Sequence, residues 1–133
     1  MIKYTKGFKY QLSEDHIIQI DIIGYEYNDQ FIKLNANGWL LIRNGYAWDG
    51  ASGPTKDDKT NMEGSLVHDA LYQLMRQEAI PREFQEYSDK LFRDICVDKG
   101  MRKVRAWYYL RGLQLFGKSS NDPENKRKIY KVE

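Results

Sequence analysis

Residues 60–75 read TNMEGSLVHDALYQLM, and this stretch decides the fold because its apolar spacing departs from everything before it. Val67, Ala70, Leu71, Leu74 and Met75 recur at three- and four-residue intervals, the period that gathers side chains on one face of an α-helix. Thr60 and Glu63 have the spacing of a capping box, which marks a helix start. Inside the run His68 and Asp69 stand side by side, and half-buried ionisable groups are costly unless partners compensate them.

Upstream the pattern is that of strands. HIIQIDIIGYEY (16–27) and FIKL (31–34) are rich in β-branched and aromatic residues and partly alternate, and Asn37-Gly38 supplies a hairpin turn before WLLIR (39–43). The adjacent pairs Ile17-Ile18 and Ile22-Ile23 fit neither face, so the facing of the first strand stays open. Downstream, Pro81 suits the first turn of a second helix with the stripe Phe84, Tyr87, Leu91 and Ile95, and Gly100 suits its C-terminal cap. A third helix runs from about 102 to 116 with Val104, Trp107, Leu110 and Leu113 on one side, closed by Gly117.

These patterns predict an α+β fold: an N-terminal antiparallel β-meander followed by three α-helices, the first two as an antiparallel hairpin. Residues 1–117 form one domain, with the meander over 1–48, a loop over 49–59 and the helical part over 60–117; residues 118–133 are a polar C-terminal tail. A length of 133 residues suits one core, not two.

The net charge of +2 comes from interspersed acids and bases, so the one-signed footprint of a dedicated nucleic-acid binder is missing. The short basic run NKRKIYK (125–131) reads as a solvated tail whose limit is weak, salt-sensitive binding. A single cysteine, Cys96, excludes an intrachain disulfide and fits a reducing cytoplasm. MIKYTKGFKY lacks the apolar region of a signal peptide, and no run approaches the ~20 apolar residues of a transmembrane segment.

On a helix, His68 and Tyr72 are one turn apart and share a face with Ser65, whereas Asp69 points about 100° away, toward Gln73. Such a helix offers an imidazole to one site and a carboxylate to an adjoining one, an arrangement suited to a base beside a metal. In WDGASGP (48–54), Gly50 and Gly53 free the backbone to turn carbonyls toward a divalent cation. Asp49 and Ser52 add oxygen donors, which makes Asp69, Asp49, Gly50 and Ser52 the candidate metal ligands. The competing reading gives Asp49 and Ser52 local backbone hydrogen bonds in an ordinary strand-to-helix connection.

Asp89 lies on the flank of the second helix, in line with Gln85, Phe92 and Cys96 rather than with Lys90. In an antiparallel hairpin it can accept a hydrogen bond from one ring nitrogen of His68, fix the tautomer and leave the other nitrogen as a base. The alternative is an intrahelical pair with Arg93, with His68 a satisfied core residue and Tyr72 and Tyr87 plain core aromatics.

From Gly45 to Gly117 the chain resembles the DUF1353 family, encoded largely by bacteriophages and prophages. GYAWDGASGP, VHDALYQL, Asp89-Lys90-Leu91-Phe92 and the closing LQLFG stand where that family has its DGAS-P, HD-LY, D-F and FG elements. The resemblance implies a viral protein made in a host cytoplasm, with other virion proteins as possible partners. The order of motifs also resembles phospholipase A2, especially its compact prokaryotic branch. That family has a calcium loop, a helix bearing His-Asp with a tyrosine four residues after the histidine, and a dyad aspartate on the next helix. By this resemblance His68, Asp89 and Tyr72 are catalytic, Asp69 and the Asp49 loop bind Ca2+, and the substrate is a phospholipid ester. The family is typically secreted and disulfide-braced, whereas this chain has one cysteine and a different loop sequence.

Two functions are therefore expected of one arrangement. The first is a phage-encoded hydrolase in which His68 and a divalent cation act on an ester. The second is a structural virion protein, of the tail or its adaptor region, in which WDGAS and the HD helix form a polar network that fixes a core or subunit contact.

Overall fold

The described part of the chain is strand in its first half and helix in its second, in a computed structural model that describes residues 4–5, 10–50 and 58–116. The strands are β1 (Tyr4–Thr5), β2 (Tyr10–Leu12), β3 (His16–Gln19), β4 (Tyr27–Asn28), β5 (Ile32–Leu34), β6 (Trp39–Ile42) and β7 (Ala47–Trp48). They form two antiparallel sheets, one in the order β3-β6-β5-β4 and one in the order β1-β2-β7. The meander is thus β4-β5-β6, with β3 returning along the free side of β6.

The β5–β6 turn is the one that Asn37-Gly38 predicts. Gly38 has φ +87 and donates to the Asn35 carbonyl, and a Cβ at this position would collide with the Ile20 carbonyl, so glycine is required twice over. Pairing with β6 also settles the isoleucines. Ile18 lies opposite Leu40, which is fully buried, so Ile18, Ile20 and Ile22 face inward while Ile17 and Ile23 are exposed.

The helices are α1 (Met62–Arg76), α2 (Gln85–Asp98) and α3 (Lys103–Phe116), with a 3-10 turn at Arg82–Phe84 leading into α2. Pro81 precedes that turn, so α2 begins four residues later than the proline suggests. Twelve of the fifteen residues of α1 are buried, which makes it the central helix. Its apolar side chains join Leu12, Ile32, Leu34, Leu40, Ile42 and Trp48 in one core between sheet and helix. A smaller core of Phe92, Cys96, Met101, Ala106 and Tyr109 lies between α2 and α3.

Contacts between α1 and α2 run in opposite senses along the two helices. Tyr72 meets Asp89, Gly64 faces Phe92 and Cys96, and Glu63 reaches Lys99 just past the end of α2, as in an antiparallel hairpin. Gly64 permits the closest part of this crossing: a Cβ there would lie 3.0 Å from Cys96 Sγ and 3.1 Å from Phe92 Cδ1. Gly100 closes α2 with φ +106, its N–H on the Val97 carbonyl and the Met101 N–H on the Cys96 carbonyl. This is the Schellman arrangement.

Three local expectations change. The Thr60–Glu63 capping box does not form: Asn61 is the N-cap, Thr60 donates to Asp58, and Glu63 instead binds His16 Nε2 and Lys99 Nζ, each at 3.1 Å. A carboxylate that joins β3, α1 and the end of α2 has stronger partners there than one backbone amide. Of the stripe expected for the second helix, Ile95 is buried in the main core, but Phe84, Tyr87 and Leu91 are only half buried against it, and the deeper line is Ser88, Asp89, Phe92 and Cys96. On α3, Leu110 is buried and Leu113 packs partly buried on the smaller core as expected, but Val104 and Trp107 point outward, and Ala106 and Tyr109 are buried in their place. Both stripes of α3 have helical spacing, and the edge-to-face contact of Tyr109 with Phe92, centroids 5.5 Å apart, fixes which one faces α2.

Candidate functional site

The α1–α2 crossing brings His68, Tyr72 and Asp89 together. His68 Nε2 lies 2.8 Å from Asp89 Oδ1, and the Tyr72 hydroxyl donates to the same oxygen at 2.6 Å. All three are buried, at 6% exposure for His68, 3% for Tyr72 and 1% for Asp89. Among the described residues Asp89 makes no pair with Arg93 of its own helix, which turns to Asp94 at 3.0 Å.

Helix geometry explains the convergence. His68 and Tyr72 are one turn apart on α1, and their rings stack with centroids 4.1 Å apart. Phe92, one turn beyond Asp89, closes on the His68 ring edge-to-face at 5.6 Å. The carboxylate is thus held by two donors and walled by aromatic carbon. Among the described residues nothing donates to its other oxygen, Oδ2.

Burial, followed by the hydrogen bond to Asp89 and the charge of Asp89, drives the Tyr72 hydroxyl far above the usual phenol range. Tyr72 therefore stays protonated at any physiological pH, a persistent donor to the carboxylate. When a neutral imidazole donates through Nε2, its lone pair is on Nδ1, the nitrogen then able to accept a proton. Cys96 adds no nucleophile: burial pushes its thiol up to about 12.

The opposite flank of α1 meets β7 and the segment before it. Trp48 Nε1 donates to Ser65 Oγ at 3.0 Å, and the Tyr46 hydroxyl lies 3.3 Å from Gln73 Oε1. Asp69 is four residues from each of these anchors, so it lies on the line of α1 along which this segment runs. Asp49 and Gly50 follow Trp48 directly, and Gly50 has φ +88, a left-handed turn at the entrance to the loop. Ser52 falls outside the described residues. Among the described residues no group of three or more His, Cys, Asp or Glu side chains is placed to hold a metal ion.

Three participants escaped the sequence reading. The Trp48 indole is the anchor of the WDG segment, Phe92 is the wall of the histidine, and Glu63, read as a cap, joins His16 and Lys99. Helical spacing had placed Phe92 in line with Asp89, but the partner of Trp48 required the tertiary structure. Tyr87 stands apart from the site, its hydroxyl taking the Asp21 N–H at 2.9 Å. A cleft of about 300 Å³ lined by Tyr25, Met75, Ile80 and Arg82 opens near the C-terminal end of α1, away from His68.

No family model, curated protein or solved structure matches the chain. No helix among the described residues is long and apolar enough to cross a membrane.

Proposed function

We propose that the protein is a phage-encoded hydrolase of an ester, a phospholipid ester above all, in which His68 is the general base. The observation that carries this reading is the 2.8 Å contact of His68 Nε2 with a buried carboxylate already held by Tyr72. Asp89 orients the ring and favours the charged imidazolium once Nδ1 has taken a proton from water. Tyr72 fixes Asp89 and is a positioning residue. The phage setting rests on the likeness of GYAWDGASGP, VHDALYQL and LQLFG to the DUF1353 pattern.

The residues assigned to the cation in the sequence are all oxygen donors, the kind that hard cations such as Ca2+ take. Asp69, Asp49, the Gly50 carbonyl and Ser52 would hold the ion. When bound it supplies positive charge for the oxyanion that develops on the substrate. Gly50, at φ +88, supports this assignment, since a carbonyl cradle needs backbone angles that glycine adopts freely.

The test is an ester-substrate screen with and without calcium, run on the parent, His68→Ala and Asp69→Asn. Hydrolysis should need calcium and vanish in His68→Ala while the far-ultraviolet spectrum stays that of the parent. Equal hydrolysis by His68→Ala and the parent would remove His68 from the chemistry.

The depth of the network favours a second reading. A histidine, a tyrosine and an aspartate each at least nine-tenths buried also serve to fix a helix crossing, as expected of a structural virion component. Mass spectrometry of purified virions tests it, and absence of the protein from the particle rules it out.

A further inference from the structure

α3 is apolar on two sides, and among the described residues only one of them is covered. Ala106, Tyr109 and Leu110 are buried toward α2, whereas Val104, Trp107, Tyr108 and Leu115 are 69%, 51%, 67% and 64% exposed. Positions 104, 107, 108, 111 and 115 follow helical spacing, so these side chains make one ridge, about 16 Å long at 1.5 Å per residue. Arg111 belongs to it, with its guanidinium 6.0 Å from the Trp107 ring. A helix with two apolar faces is ordinarily covered on both, and four large apolar side chains in line exceed scattered exposure.

The charges beside the ridge have one sign. From Lys99 to Phe116 the chain carries Lys99, Arg102, Lys103, Arg105 and Arg111 and no carboxylate. Lys99 and Arg105 are engaged by Glu63 and Asp58, while Arg111 is exposed within the ridge and Lys103 is exposed one turn before Trp107. Tryptophan and tyrosine beside arginine and lysine are the composition of a helix lying in a lipid headgroup layer.

From this we infer that the outer face of α3 seats on an anionic phospholipid surface. Val104, Trp107, Tyr108 and Leu115 enter the boundary between headgroups and acyl chains, and Lys103 and Arg111 meet the lipid phosphates. A second copy is the poorer occupant: a two-fold contact through this face sets the same cations against each other with no carboxylate between them. The inference stands on α3 alone and does not depend on the chemistry assigned to His68.

The experiment is co-sedimentation of the full chain with extruded vesicles, either pure phosphatidylcholine or an equimolar mixture with phosphatidylglycerol. Binding should require phosphatidylglycerol and weaken as salt rises. The double variant Trp107→Ala/Tyr108→Ala should bind about tenfold more weakly. Lys103→Gln/Arg111→Gln should also lose about tenfold or more. All four positions are exposed, so melting temperatures should match the parent's. His68→Asn should bind as the parent does, which separates this proposal from that of hydrolysis. Equal binding by the parent and the Trp107/Tyr108 variant overturns it. So does failure to bind anionic vesicles, whether sedimentation equilibrium then reveals a dimer through α3 or hydrogen exchange reveals the ridge protected by residues 117–133.

Discussion

Replacing Tyr72 with phenylalanine removes one hydroxyl and nothing else. The ring still fills its place against His68, so no cavity term arises, and the whole effect comes from the 2.6 Å bond to Asp89 Oδ1. A bond from a hydroxyl to a buried carboxylate is short and charge-assisted, with a net contribution of about 1.5–3 kcal/mol. The carboxylate is only 1% exposed, so bulk water cannot replace the lost donor and a value near the middle, ~2 kcal/mol, is expected. With an unfolding entropy of about 2.1 cal/mol/K per residue, a chain of 133 residues should lose roughly 7 °C in melting temperature. Scanning calorimetry reads this directly. Adding Asp89→Asn closes a double-mutant cycle, and the tyrosine change should cost about 1–2 kcal/mol less once the charge is gone. A melting temperature within about 1 °C of the parent's, or a cycle with no coupling, would refute the view that Tyr72 holds a buried charge.

Glu63 predicts acid sensitivity. The hydrogen bond from His16, opposed by burial and reinforced by Lys99, lowers its carboxyl from 4.5 to about 2. Because the folded value is depressed, the stability it contributes is present above about pH 4.5 and is lost as the pH falls through about 2. Solvent around Lys99 screens part of the effect, leaving about 1–2 kcal/mol, and Glu63→Gln should flatten urea-midpoint profiles over that window. Gly64→Ala should cost about 1–2 kcal/mol despite better helix propensity, because the Phe92 carbonyl 3.2 Å from the new methyl cannot yield as a side chain would. A stabilised Gly64→Ala in chemical denaturation would mean that the α1–α2 crossing is looser than described. Glu78, at φ +62, ends α1 where glycine is the usual choice, and Glu78→Gly should raise stability by about 0.5–1 kcal/mol, a gain that thermal melts detect.

The sequence by itself determined the periods. Alternation before residue 48 and three-to-four spacing after residue 60 separate sheet from helix, and Asn37-Gly38 and Gly100 mark a turn and a cap because few other residues accept their backbone angles. The same spacing put Asp89 on a flank from which it can reach α1, so the His68–Asp89 pairing was legible before any coordinates. Spacing is silent where two answers share one period. The inward face of α3 was decided by Tyr109 against Phe92, and the fate of Glu63 by His16 arriving from β3, forty-seven residues away in the chain. The adjacent isoleucines were sorted only by pairing with β6, since a strand's own sequence does not record which neighbour fixes its register. Local periodicity reports what each segment prefers. Which of its faces is buried depends on what packs there, and only the tertiary structure supplies that.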